Sequence, residues 1–315
     1  MTDTTKEIFE KYQVRKTKKQ KTDFIEYVKQ LSKLYGYEFK VEKGSFGARN
    51  IVIGDPDIAK VLYTAHYDTC VRLPFPNFIT PKNFLIYLLY NILIVGIFFI
   101  ATFFFCIAAG VAIRFVPMTA GTYDVLYSVF SFLPTILCYI LLIFMFAGPA
   151  NKHTANDNTS GVTTILDIMN ELPQDSKSKV AFVLFDLEEA GLFGSSSFAS
   201  KHKTIKKNTL VINFDCVSDG ETLLFALKRT TEKYAELLEK AFTSTPDIAV
   251  DITRNAFYPS DNVSFKGGIG VCALKKSKFF GTLYMDRIHT NKDVIYREEN
   301  IRILTNGALK LAQML

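Results

Sequence analysis

The chain has 315 residues, 49% of them hydrophobic, with 28 Phe, no Trp and a formal net charge of +6. It is long enough to bury a sizeable core and more apolar than an average soluble protein, so the surplus apolar residues need a location of their own. The positive charge is spread along the chain without a nucleic-acid-binding motif. It reads as a solvated or membrane-facing basic surface, and no nucleic-acid partner is expected.

In chain order, "MTDTTKEIFEKYQVRKTKKQK" is charged from the start and lacks the apolar core of a secretory signal. "EIFEKY" and "DFIEYVKQLSKLYG" predict helices, and "YEFKVEK", "NIVIG" and "KVLYTAHYD" predict strands. Next come two runs without a charged residue, 83–113 and 125–151. Each exceeds the roughly 20 residues that cross about 30 Å of hydrocarbon. With the turn-prone "RFVPMTAGTYD" between them they predict a transmembrane hairpin, with spans at about 84–114 and 124–148, the second kinked at Pro134.

A hairpin returns the chain to the side it left. Arg15, Lys16, Lys18, Lys19, Lys21, Arg72 and Lys82 precede it and Lys152 follows it, whereas the turn has only Arg114 balanced by Asp124. Positive-inside bias then places both soluble parts on the cytoplasmic side of an integral membrane protein. The five cysteines show no paired framework, in keeping with a reducing compartment.

After the hairpin the pattern predicts a helix over 158–172, the strand "KVAFVLF", a helix near 192–202, the strand "TLVINFD", the segment "ETLLFAL", a helix over about 231–242, the strands "DIAVDI" and "GVCAL", and a closing helix. Strands alternating with helices imply an α/β fold with a mixed, largely parallel central sheet flanked by helices. The expected organisation is 1–80 as the first part of one catalytic domain, 81–150 as the hairpin insertion and 151–315 as the remainder.

Polar residues collect at the predicted strand ends, where such sheets gather ligands. His66 and Asp68 follow one strand, Asp157 opens a helix, Glu188 and Glu189 follow the next strand, Asp215 a third, and His289 lies in a loop before the last helix. Two adjacent carboxylates at a strand end repel each other unless a cation sits between them. Imidazoles and carboxylates converging from separate strands form a nitrogen and oxygen donor set suited to zinc or a similar divalent ion. Because neighbouring side chains diverge, Glu189 can ligate a metal while Glu188 faces the water to be activated. Of the four histidines, His153 and His202 lack an acidic strand-end setting and are expected to be structural.

HxD at 66–68, NDNxSGV from Asn156, EExGLxGS from Glu188, the Asp215 segment, SDNxxF from Ser260 and the late His289 together resemble the di-zinc aminopeptidase family, metallopeptidase family twenty-eight. The resemblance covers about 55–70 and 150–300, in order. It implies two Zn2+ per chain, one held by His66 and Asp215, the other by Glu189 and His289, with Asp157 bridging. It further implies Glu188 as general base, Asp68 as the acid that orients His66, and a cis peptide at Asp157–Asn158. Tyr258 is a candidate donor to the developing oxyanion.

The expected activity is exopeptidase hydrolysis of N-terminal residues of peptides. Other readings of the same site are an N-acyl amino acid or lipid-amide hydrolase, or a carboxypeptidase using Arg254, Lys266 or Lys275 to hold a carboxylate. Glutaminyl cyclase and a non-catalytic membrane interaction protein are further alternatives. The departure from the family is the insertion of the hairpin between Asp68 and Asp157. It suggests a site near the bilayer surface and apolar or membrane-proximal substrates, with the lipid bilayer as a partner and a possible homo-oligomer through the hairpin.

Overall fold

The computed structural model describes residues 1–115, 119–279 and 281–315. They divide into two compact units, Met1–Asn83 with Ala150–Leu315, and Phe84–Pro149.

In the larger unit, α1 (Asp3–Lys11) and α2 (Lys18–Leu34) precede a hairpin of β1 (Phe39–Lys43) and β2 (Arg49–Ile53), followed by β3 (Val61–His66). Thr17 starts α2 through a capping box with Gln20, which satisfies two donors that the first turn would leave unpaired. The smaller unit holds α3 (Phe84–Ile113) and α4 (Ala120–Ala147), which pack against each other. The larger unit resumes with α5 (Gly161–Glu171), β4 (Val180–Phe185), α6 (Phe193–Lys201), α7 (Lys203–Asn208), β5 (Leu210–Phe214) and β6 (Thr222–Ala226). Then come α8 (Ala235–Ala241), β7 (Ala249–Thr253), β8 (Gly268–Lys276), β9 (Leu283–Tyr284) and α9 (Glu298–Met314).

The sheet runs in the order β1-β2-β4-β3-β5-β8-β6-β7, with β9 added to β8. Its centre, β4-β3-β5-β8, is parallel, whereas β1, β2 and β9 join antiparallel and β6 pairs antiparallel with β8. β3, β4 and β5 are buried along their whole length, which explains why they read as continuous apolar runs rather than alternating ones. Their alternate residues feed different layers. Val61, Tyr63, Phe182, Leu184, Ile212 and Phe214 pack with α2, α5 and α9, while Leu62, Ala181, Val183 and Val211 pack with Phe198 of α6 and Ile205 of α7. The mixed α/β fold flanked by helices is the one expected from the alternation.

Several local expectations change. α5 starts at Gly161 rather than at 158 because Asp157 and Asn158 have non-helical backbone angles. The helix expected over 231–242 is a short tight turn, Glu232–Tyr234, followed by α8. α7 and β9 were not anticipated; both are shorter than a hydrophobic period can reveal. α4 begins at Ala120, capped by Thr119, so the connection between the apolar helices is shorter than "RFVPMTAGTYD" suggested. Residues 116–118 of that turn lie outside the described residues.

α3 and α4 are long and apolar enough to cross a membrane, with mean hydropathy of 2.8 over Phe84–Ile113 and 2.2 over Asp124–Met145. Almost none of their residues are buried inside the protein, unlike those of a soluble core helix of the same composition. All five cysteines are free.

Two of the basic residues used to orient the hairpin do not belong to a basic surface. Arg15 is fully buried, its guanidinium donating to the carbonyls of Tyr67 at 2.5 Å and Tyr12 at 2.7 Å. Lys21 is buried in an ion pair with Asp186. The charge count over 15–21 therefore mixes surface with core.

Candidate metal centre

Register brings the strand ends together. His66 pairs with Phe185 across β3 and β4, and Thr64 with Asn213 across β3 and β5, all parallel. The residues that follow these three strands therefore emerge at one edge, which carries His66 and Asp68, Glu188 and Glu189, and Asp215.

The fourth contribution comes from the irregular segment before α5, and its two asparagines explain how it is held. Asn156 Oδ1 accepts from the backbone N–H of Ser218 at 2.7 Å and Asp219 at 3.0 Å. Asn158 Oδ1 accepts from Gly161 N–H at 2.9 Å and Cys216 N–H at 3.3 Å, while its Nδ2 donates to the carbonyl of Phe214 at 3.0 Å. An amide side chain both donates and accepts, so it can tie one loop to another loop's backbone. Between these ties lies Asp157, joined to Asn158 by a cis peptide. From the other side Asp293 accepts from the N–H groups of Asn156 and Asp157, at 2.7 and 3.0 Å.

Asp157 presents its two oxygens to two different histidines. Oδ1 is 3.3 Å from His66 Nε2, and Oδ2 is 3.1 Å from His289 Nε2. His66 Nε2 also lies 3.4 Å from Asp215 Oδ1, and His289 Nε2 lies 3.4 Å from Glu189 Oε2. Two donor groups thus share one carboxylate: His66, Asp157 and Asp215 form one, and Asp157, Glu189, His289 and Cys70 form the other, with donor atoms within 4.8 Å of one another in each.

Asp68 stands behind both. His66 Nδ1 is 3.1 Å from the Asp68 carbonyl and 3.6 Å from Oδ1. The two Asp68 carboxylate oxygens accept from the N–H groups of Glu188 at 3.1 Å and Glu189 at 3.3 Å. One buried acid thereby orients a histidine and the backbone of the glutamate pair.

The electrostatics show what the cluster lacks. Burial pushes Glu188 and Glu189 well above the usual carboxylate range, with neighbouring acids adding to the shift. Burial also raises Asp261, to about 7, and Asp293 well up. Asp157 goes the other way: burial would raise it, but hydrogen bonds with His289 and His66 hold it low. Burial opposes charging His66 as well, yet Glu188, Asp157, Asp215 and Asp68 around it raise its pKa well above the ordinary value. The protein's own cations are too few for this many acids. Among the described residues, Glu189 Oε1 is buried without a hydrogen-bond partner. A divalent cation between the histidines and carboxylates would complete such a donor set, and the residues present fit one.

The sequence-predicted residues His66, Asp68, Asp157, Glu188, Glu189, Asp215 and His289 are all brought to this edge. Tyr258 reaches it too, but its hydroxyl donates to the Asp215 carbonyl at 3.2 Å, in a buried position beside Cys216 and Leu224. Arg254 pairs with Glu232, and Lys275 with Asp286, so two of the three cations considered for a substrate carboxylate are engaged elsewhere. His202 pairs with Glu42 at 2.9 Å, away from the cluster.

Sequence reasoning assigned no role to four contributors. Arg15, the first cation of a basic run, is a buried group whose pKa burial lowers to about 10 against the pull of Asp68 and Asp157. Asp293, four residues past His289, positions the Asp157 segment. Asn156 and Asn158 were visible only as parts of a motif, although paired asparagines around an acid are what a loop tied on both sides requires.

Residues 143–312, more than half of the chain, match the sequence profile described as Peptidase family M28. The chain belongs to peptidase family M28. Its fold is similar to that of the LapA aminopeptidase of Legionella pneumophila, with 16% identity, a TM-score of 0.55, and coverage of 98% of this chain and 69% of that one. It is also similar to a glutaminyl cyclase of Porphyromonas gingivalis, with 14% identity, a TM-score of 0.55 and coverage of 98% and 95%. A leucine aminopeptidase precursor of Bacteroides thetaiotaomicron matches at 12% identity and a TM-score of 0.54, covering 98% and 93%. At these identities the likeness is one of fold. Membership of M28 makes the chain a hydrolase of the metallopeptidase type.

Proposed function

We propose that this M28 chain is a membrane-embedded exopeptidase with two Zn2+ per chain, removing N-terminal residues from peptides. The observation that carries the reading is Asp157, whose two oxygens face His66 and His289 separately. His66, Asp157 and Asp215 would hold one ion, and Asp157, Glu189 and His289 the other. Zinc bound there would supply Lewis acidity toward a water nucleophile and the scissile carbonyl.

The chain's own part in hydrolysis centres on Glu188. Its carboxylate accepts the proton of the attacking water as the new C–O bond forms, and returns it to the amine as the C–N bond breaks. Ser260 Oγ donates to Glu188 Oε1 at 3.4 Å, leaving the other oxygen for that proton. Asp68 keeps His66 and the glutamate backbone in place, while Tyr258, bonded to the Asp215 carbonyl, has the role of steadying that loop unless substrate draws its hydroxyl away.

α3 and α4 supply the membrane span, and their insertion between Asp68 and Asp157 favours apolar or membrane-proximal peptides, with the soluble unit on the cytoplasmic side. The test is activity of the full-length detergent-purified protein on free, N-acylated and C-terminally blocked amides and on an N-terminal glutaminyl peptide. Cleavage that needs a free α-amine and stops with a chelator is expected. Cleavage of acylated substrates only, or ring closure of the glutaminyl peptide without hydrolysis, would replace this reading with an acylase or a cyclase.

A further inference from the structure

The proposed roles leave Cys70 unused. It lies two residues past Asp68 and is 1% exposed. Its segment is clamped from both sides: Asn151 N–H donates to the Cys70 carbonyl at 3.1 Å, Val71 bridges Ala150, and Leu73 N–H donates to the His289 carbonyl at 2.8 Å. The last of these bonds ties the cysteine's segment to the loop that carries His289. In consequence Sγ lies within 4.8 Å of donor atoms of Asp157, Glu189 and His289. Asn151 Nδ2 approaches the sulfur only at 3.8 Å, and the same amide also reaches the carbonyls of His153 at 2.5 Å and Thr290 at 3.0 Å. The thiol is therefore weakly held, and Glu189, in the same donor group, has an oxygen, Oε1, that is buried without a hydrogen-bond partner among the described residues.

The remaining cysteines differ. Cys216 donates to Asp215 Oδ1 at 3.1 Å, Cys272 packs among Leu224, Tyr258 and Leu274, and Cys106 and Cys138 lie within α3 and α4.

We infer that Cys70 is a fourth ligand of the Asp157–Glu189–His289 site, binding a divalent ion as the thiolate with its proton released to solvent. The inference rests on the two-metal reading above. It makes the two positions chemically unequal: His66, Asp157 and Asp215 offer nitrogen and oxygen alone, whereas the other set adds a soft sulfur donor that favours zinc or cobalt over magnesium or calcium. With one more donor, and a thiolate, the Cys70 set should also be the harder to strip.

The test is Co2+ reconstitution of the full-length apoprotein, following both bound metal per chain and the near-ultraviolet thiolate-to-cobalt charge-transfer absorption. Wild type should bind two equivalents and show the band as the tighter equivalent fills. Cys70→Ser and Cys70→Ala should lose the band and bind one equivalent about 10-fold or more weakly, while Cys216→Ser keeps it. Two equivalents without a band in wild type, or a band that survives in Cys70→Ser, would overturn the inference while leaving the two-metal reading intact. A single equivalent with a Cys70-dependent band would do the reverse, and absence of binding would overturn both. The wild-type spectrum decides the first point without any substitution, so a misfolded variant does not blur the outcome.

Discussion

Glu188 and Glu189 are neighbours in the chain with different surroundings. Glu189 Oε2 faces His289 at 3.4 Å and its other oxygen has no partner among the described residues, whereas Glu188 is met by the Ser260 hydroxyl. Glu188→Gln keeps the size and most of the polarity of the side chain but removes the proton acceptor. It should retain both metals and lose about 10²- to 10⁴-fold in turnover. Glu189→Gln should instead release metal. Metal analysis beside steady-state rates separates the two, and a depleted Glu188→Gln with a fully loaded Glu189→Gln would reverse the assignment.

The site depends on how the end of β4 turns into α6. Asp186, the acid just before the glutamate pair, is the structural member of the run: it pairs with Lys21 and accepts from the N–H groups of Arg49 at 3.0 Å and Leu187 at 2.9 Å. Lys21→Met would leave this carboxylate buried without its cation, and a cost of about 3–5 kcal/mol is expected in denaturant unfolding. Gly194 lies where a Cβ would come within 2.1 Å of the Asp186 carbonyl, so Gly194→Ala must push α6 off the loop. A loss of about 1–3 kcal/mol is expected, with weaker metal retention, because the Glu188 backbone shifts with the loop. α5 offers a test remote from the metal centre. Burial raises Asp167 to about 6, with Thr2 donating to it at 3.2 Å. A raised carboxyl favours the protonated fold, so its stability penalty is absent below about pH 4, grows as pH rises toward 6 and is complete above that. Asp167→Asn should therefore be more stable than wild type at pH 7 to 8, by about 1–2 kcal/mol after allowance for partial exposure, and equal to it near pH 4. Melting curves across that range would show the difference open or fail to open.

At the scale of the whole molecule, the proposed span through α3 and α4 is tested by sidedness. With Arg15 and Lys21 removed from the count, Lys16, Lys18, Lys19, Arg72 and Lys82 still precede α3, against Arg114 alone after it. The soluble unit is therefore expected on the cytoplasmic side. Gly121 is exposed at the start of α4, and a Cβ there meets nothing within 4 Å. Gly121→Cys should react with an impermeant thiol reagent in intact cells, and Lys207→Cys, on the exposed side of α7, only after lysis. The opposite pattern would mean that the soluble unit is exported.

Much of this protein is legible along the chain because the signals are local. The apolar runs of α3 and α4, the strand-like "KVAFVLF" and the ordered acids and histidines at strand ends each state a preference within a few residues. What a residue does after burial is not local. Nothing in "QVRKTKKQK" distinguishes Arg15 and Lys21, buried against Tyr67 and Asp186, from the exposed Lys18 and Lys19 between them. Cys70 reads as an ordinary small residue until a β-bridge and one hydrogen bond from Leu73 bring it beside His289, more than 200 positions away. Asp293 likewise becomes a positioning group only because the loop before α9 returns to Asn156. Hydrophobic period and motif order determine which elements form and which acids could serve; parallel register and loop-to-loop hydrogen bonds, made between residues far apart in sequence, decide which of those acids and histidines come together.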